Sequence, residues 1–468
     1  MFARSNADTT PEQSQVITRR EFAKKVAATS VALSSSATLV HALGQNKHGQ
    51  TEKSEGQKAA LPEWGNHIDP DWVKETLIGG LLDHWLKASV MSNGFIQENL
   101  DRDWKPWGTL REASLNGQGR QLYCMARGYE LTRRQDYLDA VEKCADFLLK
   151  MRDPEYGGFF NRTTPELKVI DDRKTDFTSF AIFPLAHIAR ITGEGNHAQE
   201  AMKAWQEVST KMRAGEFFNG SMKRDFSGSA PSLYAGVAGN NVPPAAARNN
   251  HRLSEHMFEA LLALYQATKD RSVWQEIERQ VALMIRLFDR QGGFLPENYD
   301  QDGKAIPTTN FNVGHLFEWA ALFSQAVELG ADPKLIELGS RNIDMGIKIG
   351  VDPGTGGTWT SATAQGGTPP RKNMLWWPEC ETIKATARYA IKHGRSDLWP
   401  VFDRCLEFVR TNFFDRTYGG WYETVIPGEP RENLGPRAYI KGAVDGPEWG
   451  SYHQTACFTD LLHVTGNL

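Results

Sequence analysis

Tyr137-Leu138-Asp139-Ala140-Val141-Glu142-Lys143-Cys144-Ala145-Asp146-Phe147-Leu148 runs into Gly157-Gly158-Phe159 nine residues later, and this pairing decides the fold. Tyr137, Leu138, Val141, Cys144, Phe147 and Leu148 fall at helical spacing, so the segment is an amphipathic helix that stops at a glycine turn. The Gly-aromatic turn recurs at Asn93-Gly94-Phe95, Asn219-Gly220, Gly292-Gly293-Phe294, Gly356-Gly357 with Trp359, and Gly419-Gly420-Trp421, at intervals of 62 to 73 residues. Sixty residues hold two helices and their loops. Val281-Ala282-Leu283-Met284-Ile285 with Leu287 and Phe288 shows the same helical spacing in another repeat. A helix pair cannot bury its apolar face alone, and six pairs bury theirs together when packed as a closed toroid, one ring of helices inside another. An open solenoid would have repeats of about 34 to 47 residues and polar capping repeats. The expectation is an all-α protein, an (α/α)6 barrel forming one domain over residues 62–468, with polar residues placed once per repeat converging on a central cleft.

The composition agrees with a soluble globular chain: 468 residues, 24% charged, 40% hydrophobic, net charge -4. Lys plus Arg number 53 against 57 Asp plus Glu, with no basic run in the body of the chain, so nucleic acid finds no electrostatic partner. The 14 Trp supply platforms on which sugar rings stack, or else packing for large helices. Cys124, Cys144, Cys380, Cys405 and Cys457 are far apart with no C-x-x-C pair and read as buried small hydrophobes.

The first residues read as an address. Thr18-Arg19-Arg20-Glu21-Phe22-Ala23-Lys24 opens a weakly apolar stretch from Val26 to Leu43 that ends in the small-residue site Val40-His41-Ala42. Ser34-Ser35-Ser36 makes that stretch too polar to span a bilayer. Residues 1–42 are therefore expected to be a twin-arginine signal peptide and 43–61 a polar linker, with the mature protein periplasmic or secreted and the twin-arginine export machinery as a partner.

Polar residues inside otherwise apolar helical patterns mark the cleft. Arg120 follows Asn116-Gly117-Gln118-Gly119; His256 and Glu259 are three apart and share a helix face; His315 and Glu318 repeat that pattern 59 residues later. Trp376-Trp377-Pro378-Glu379-Cys380-Glu381 and Tyr452-His453 continue the series. Burying His and Glu in the same phase of successive repeats would leave polar groups needing partners, so a shared site explains them better than core packing does. His41, His67 and His187 carry no such pattern. His-Glu-x-x-His is absent, as are a Walker motif, a dinucleotide fingerprint and a Gly-x-Ser-x-Gly elbow, so no metal and no nucleotide cofactor is expected.

At these residues the chain resembles the N-acylglucosamine 2-epimerase superfamily, through Gln118-Gly119-Arg120, His256-Met257-Phe258-Glu259-Ala260, Gly314-His315-Leu316-Phe317-Glu318-Trp319, Trp376-Trp377 with Glu381, and Tyr452-His453. The resemblance implies a carbohydrate epimerase or isomerase on an (α/α)6 barrel, working at the reducing end of a sugar or oligosaccharide through C2 proton transfer and an enediolate. It implies His315 and His453 as the acid/base pair, Glu318 tuning His315, His256 at ring opening, and Arg120 on the enediolate oxygens. Trp376 and Trp377 would be the sugar platform, and Glu259, Glu381, Trp449, Tyr452 and Asn250 complete the expected substrate-binding set. A neutral imidazole and a fixed guanidinium suit the weak acid at C2. The terminal element departs from the family: Glu448-Trp449-Gly450-Ser451-Tyr452-His453 lacks its Pro and the Arg that follows.

Because fold does not fix function, two other chemistries fit the same cleft. An exported polysaccharide lyase would draw on Asn249, Asn250, Arg252, His256, His315 and Tyr452, and an inverting hydrolase on Asp176 and Glu381. A glycan binder would keep Trp376 and Trp377 and have no use for the histidines.

Overall fold

The computed structural model describes residues 62–108, 111–230, 248–249, 255–296, 298–299, 304, 310–363, 365–366, 369, 372–435, 439, 441 and 450–468. The expected signal peptide and linker lie outside them. Six helices form an inner ring: α3 (Leu115–Thr132), α5 (Ser179–Thr192), α7 (His256–Thr268), α9 (Val313–Glu328), α11 (Trp376–His393) and α13 (Tyr452–Val464). Each packs on the next, and α13 returns to α3, which closes the ring. Around it lie α4 (Gln135–Lys150), α6 (Gly195–Glu207), α8 (Arg271–Leu287), α10 (Lys334–Gly350) and α12 (Trp399–Asn412), each following and packing on its inner partner. The sixth pair joins the two ends of the barrel, because α13 packs against α1 (Pro70–Leu77), which continues through a π turn into α2 (Asp83–Ser89). The barrel is thus the (α/α)6 toroid that the repeats predict. Among the described residues no helix is long and apolar enough to cross a membrane.

Sequence explains which helices go inside. Outer helix α8 buries Val273, Ile277, Val281 and Met284, one face at helical spacing, and caps its first turn with Asp270, whose carboxylate accepts from the backbone N–H of Ser272 and Val273. Inner helix α11 is buried continuously from Trp376 to Ala390. The inner-to-outer connections are short and alike: the hydroxyls of Thr132, Thr192 and Thr268 each donate to a carbonyl four residues back and accept the N–H two residues on. Arg133, Gly193 and Lys269 then take the left-handed conformation that ends the helix.

The outer-to-inner connections carry the glycine turns. In four of them an aspartate organises the reversal: Asp153, Asp289, Asp352 and Asp415 each accept, through side chain or backbone oxygen, the N–H groups of the turn that reaches Gly157, Gly293, Gly356 and Gly419. Those glycines have φ between 76° and 82°, which a side chain would strain. The third turn differs from the sequence expectation. Its left-handed glycine is Gly215, inside the hairpin Arg213–Ala214/Phe217–Phe218, and Gly220 lies beyond it, where its carbonyl accepts from Asp176.

An all-α reading also misses a ring of short strands. Ala113–Ser114, Lys174–Thr175, Arg248–Asn249, Asn310–Asn312 and Met374–Leu375 pair antiparallel with Arg162–Thr163, Ser221–Met222, Asn298–Tyr299, Ser361–Thr363 and Thr424–Val425. Each of these strands leads into an inner helix and is tied to the turn of the following repeat. The consequence is functional: the inner helices enter from the strand-bearing rim, and their first turns converge there.

Gly119 sets the closeness of the ring. A Cβ at that position would land on the backbone carbonyl of Phe180 in α5, so α3 and α5 can touch only without one. Gly119→Ala is expected to destabilise the protein by about 2 kcal/mol or more in denaturant unfolding, as overpacking against backbone does. Gly195→Ala, where a Cβ meets nothing, is expected to be neutral or slightly stabilising. Equal effects would contradict this packing.

Candidate active site

Arg120 leaves the second turn of α3, whose start is fixed by Ser114, a side-chain cap accepting from Gly117 N–H at 2.8 Å. Gln118 is bound elsewhere: its amide bridges Ile96 and Glu98, tying the first glycine turn to α3. The Arg120 guanidinium lies 4.4 Å from the Phe180 ring centre and 4.8 Å from that of Tyr452, two aromatic faces that hold a cation without neutralising it. Its Nη2 stands 3.4 Å from His256 Nε2, and the His256 ring packs 4.8 Å from Phe180. Gly119 is the reason Arg120 meets Phe180, since it brings the two helices into backbone contact.

His453, in the first turn of α13, faces α11. Its Nδ1 is 2.9 Å from Glu381 Oε1, and Glu381 Oε2 is 2.5 Å from Lys384 Nζ one helical turn on. All three side chains are buried. Burial pushes the His453 imidazole down to about 4, against the pull of Glu381, so it is neutral at physiological pH. Burial also works against the charge on Glu381, yet Lys384 and His453 together carry it below the ordinary carboxylate range. Lys384, despite burial, is held well above the usual lysine range by Glu381, Glu318 and Glu259.

Trp377 lies between the two expected proton-transfer groups, its ring 5.1 Å from that of His315 and 5.6 Å from that of His453. It packs closely on α9 because position 314 is glycine; a Cβ there would collide with the indole. This accounts for the glycine in Gly314-His315-Leu316-Phe317-Glu318-Trp319. Glu318 lies near both histidines: a carboxylate oxygen of Glu255, a ring nitrogen of His315 and a carboxylate oxygen of Glu318 lie within 4.8 Å of one another, and the same holds for Glu318, Glu381 and His453. Burial, then the charges of Glu255 and Glu381, push Glu318 well above the ordinary carboxylate range, which favours its protonated form. Across the site the Tyr452 hydroxyl donates to Glu259 in a short hydrogen bond, and burial raises both groups.

The two acid-and-histidine groups have the donor types of a cation site. In the group of Glu318, Glu381 and His453 a fixed positive charge is already supplied by Lys384, and an ion bound to Glu381 would share that carboxylate with the ammonium. This second donor set fits a proton-handling chain better than a metal.

Of the residues expected from sequence, Arg120, His256, Glu259, His315, Glu318, Trp377, Glu381, Tyr452 and His453 fall in this connected group. Trp376 and Trp377 are both buried in the hydrophobic core together with Trp319, and of the two tryptophans it is Trp377 whose ring packs against His315 and His453. Asn250 and Trp449 lie outside the described residues. Sequence reading missed Phe180, Glu255 and Lys384. The sequence offered only the i,i+3 spacing of Lys384 from Glu381, which becomes a buried pair through the enclosure of α11.

The His453 assignment is open to direct titration. By nitrogen-15 NMR its imidazole is expected to stay neutral from pH 8 down to pH 5, because its folded value lies near 4. The sign follows: between the ordinary histidine value of about 6.5 and 4 the unfolded chain takes up a proton that the folded chain does not, so this residue lowers stability as pH falls through that window. Titration near 6.5 would contradict the buried pair.

Comparison with known proteins identifies the family. The N-acylglucosamine 2-epimerase (GlcNAc 2-epimerase) family matches residues 94–439. The N-acylglucosamine 2-epimerase of Mus musculus is 24% identical over 426 residues, 88% of this chain and 94% of that protein. The cellobiose 2-epimerase of Dictyoglomus turgidum is 21% identical, covering 79% of this chain and 95% of its own. In fold, a cellobiose 2-epimerase from Bacillus thermoamylovorans superposes with a TM-score of 0.74 at 20% identity, over 84% of this chain and 98% of that one. With the family matched across most of the barrel, this chain belongs to the N-acylglucosamine 2-epimerase family of sugar 2-epimerases and aldose-ketose isomerases.

Proposed function

We propose that the protein acts at the reducing end of a sugar or oligosaccharide, one of His315 and His453 taking the C2 proton to give an enediolate and the other delivering a proton from its own ring. The observation that carries this reading is the pair of imidazoles against one indole, Trp377, with Glu318 in reach of both. A C2 proton next to an aldehyde is a weak acid, and a neutral imidazole oriented by a carboxylate has the lone pair to accept it. In this reading His453, kept neutral by burial and oriented by Glu381, works on one face of C2, and His315 on the other. Arg120 offsets the negative charge that develops on the oxygens at C1 and C2, its guanidinium already oriented by Phe180 and Tyr452, so no reorganisation is spent at the moment of reaction. In the same reading His256, beside Arg120, serves ring opening, and Glu318, which burial biases toward its protonated form, donates a hydrogen bond without adding a second negative charge. Delivery of a proton to the opposite face of C2 is epimerisation, and delivery to C1 is isomerisation.

Purified protein in deuterium oxide with free aldoses and β-linked disaccharides is expected to place deuterium at C2, with a new epimer or ketose appearing in the proton NMR spectrum. His453→Ala and His315→Ala are each expected to lower turnover by about 10²- to 10⁴-fold, the usual worth of a general acid or base. Vinylic H4 signals from uronate-containing oligosaccharides without exchange at C2 would overturn the proposal in favour of elimination.

We also propose that the chain is exported, on the twin-arginine pattern at Arg19-Arg20. Replacing both with lysine is expected to retain the protein in the cytoplasm, and unchanged fractionation would contradict export.

A further inference from the structure

Lys384 has no part in the chemistry described so far, yet it is a buried lysine at the centre of the site. Its Nζ is 2.5 Å from Glu381 Oε2, and Glu381 Oε1 is 2.9 Å from His453 Nδ1, so ammonium, carboxylate and imidazole form one chain across α11 and α13. The groups that act on Glu381 and Lys384 come from three further helices: Glu318 on α9, Glu259 on α7 and His453 on α13. Three carboxyl groups around one ammonium cannot all ionise in a buried site; the one in contact with the ammonium does so first.

We infer that Lys384 is the positioning residue that decides which nitrogen of His453 is the base. With Lys384 against it, Glu381 is a carboxylate and can only accept a hydrogen bond. His453 Nδ1 must then carry the proton and donate, which leaves the lone pair on Nε2. Remove the ammonium, and Glu381 lies within 4.8 Å of Glu318 with its charge uncompensated. It takes up a proton, donates to Nδ1, and the proton of His453 moves to Nε2. His453 then stays neutral and in place but has no lone pair for the substrate. Lys384 thus acts through Glu381 and touches no reacting atom. This inference rests on the reading of His453 as a base, but its structural content, the tautomer, does not.

The test compares wild type, Lys384→Met and Lys384→Arg. In long-range proton–nitrogen-15 spectra His453 is expected as the Nδ1–H tautomer in wild type and in Lys384→Arg, which keeps the cation, and as the Nε2–H tautomer in Lys384→Met. In deuterium oxide, Lys384→Met is expected to lose about 10²-fold in epimer or ketose formation. The sugar epimer whose C2 proton faces His315 should keep exchanging that proton with solvent, and the epimer that faces His453 should not. A purely structural defect would depress both alike. If Lys384→Met does not fold, Lys384→Gln, shorter and polar, takes its place with the same expectation. An unchanged Nδ1–H tautomer in the lysine-free variant, or equal loss of exchange from both epimers, would overturn the inference. Absence of C2 exchange in wild type with every aldose, alongside the expected tautomer change, would instead remove the proposed function and leave the role of Lys384 standing.

Discussion

Helices of the inner ring are wrapped by protein nearly all round, so a polar side chain on them must find its partner across the ring or be costly to bury. Helix α11 shows the rule along its length. Glu379 accepts from Thr358 N–H at 2.8 Å and lies 3.0 Å from Cys405 Sγ. Arg388, fully buried at the far end, is tied to Asp460 at 2.6 Å, to Ser324 at 2.9 Å and to Glu328. These pairs hold the ring closed. Between them, Glu381 and Lys384 are paired to a histidine on α13, and what would be another structural contact becomes a base with a set orientation.

The rim geometry gives those pairs a common place to meet. The aspartate-capped turns and the short strands bring the inner helices in from one side, so His256, His315, Trp377 and His453 all sit in first turns. The N-terminal ends of helices carry partial positive charge. Several such ends around one cleft, together with the guanidinium of Arg120, favour a substrate that becomes negative during the reaction, as an aldose does on losing its C2 proton.

The repeat architecture was legible because glycine turns and helical spacing are local signals. Gly94, Gly158, Gly293, Gly357 and Gly420 mark real reversals, whereas Gly220 misled because the functional turn glycine of that repeat, Gly215, lacks the Gly-aromatic pair. The strands were not legible, because pairs of two residues leave no alternation to read. Within the site, Arg120, His315 and His453 stood out as polar residues in apolar helices. Trp376 and Trp377 could not be told apart by sequence, since adjacent positions on a helix point about 100° apart and only the packing shows which one meets Gly314. Lys384 was overlooked for the opposite reason: lysines on helices are usually solvated, and its burial follows from α11 being enclosed, a property of the closed ring and of no local pattern.

The central claim is that C2 of an opened sugar lies between two imidazoles. The most direct measurement is a crystal structure with an acyclic sugar alcohol, which mimics the opened chain and cannot react. The account predicts C2 within about 3–3.5 Å of one nitrogen of His315 and one of His453, on opposite faces of the carbon, with its oxygens toward Arg120. An alditol bound with C2 against only one of the two histidines, or seated away from Trp377, would contradict it.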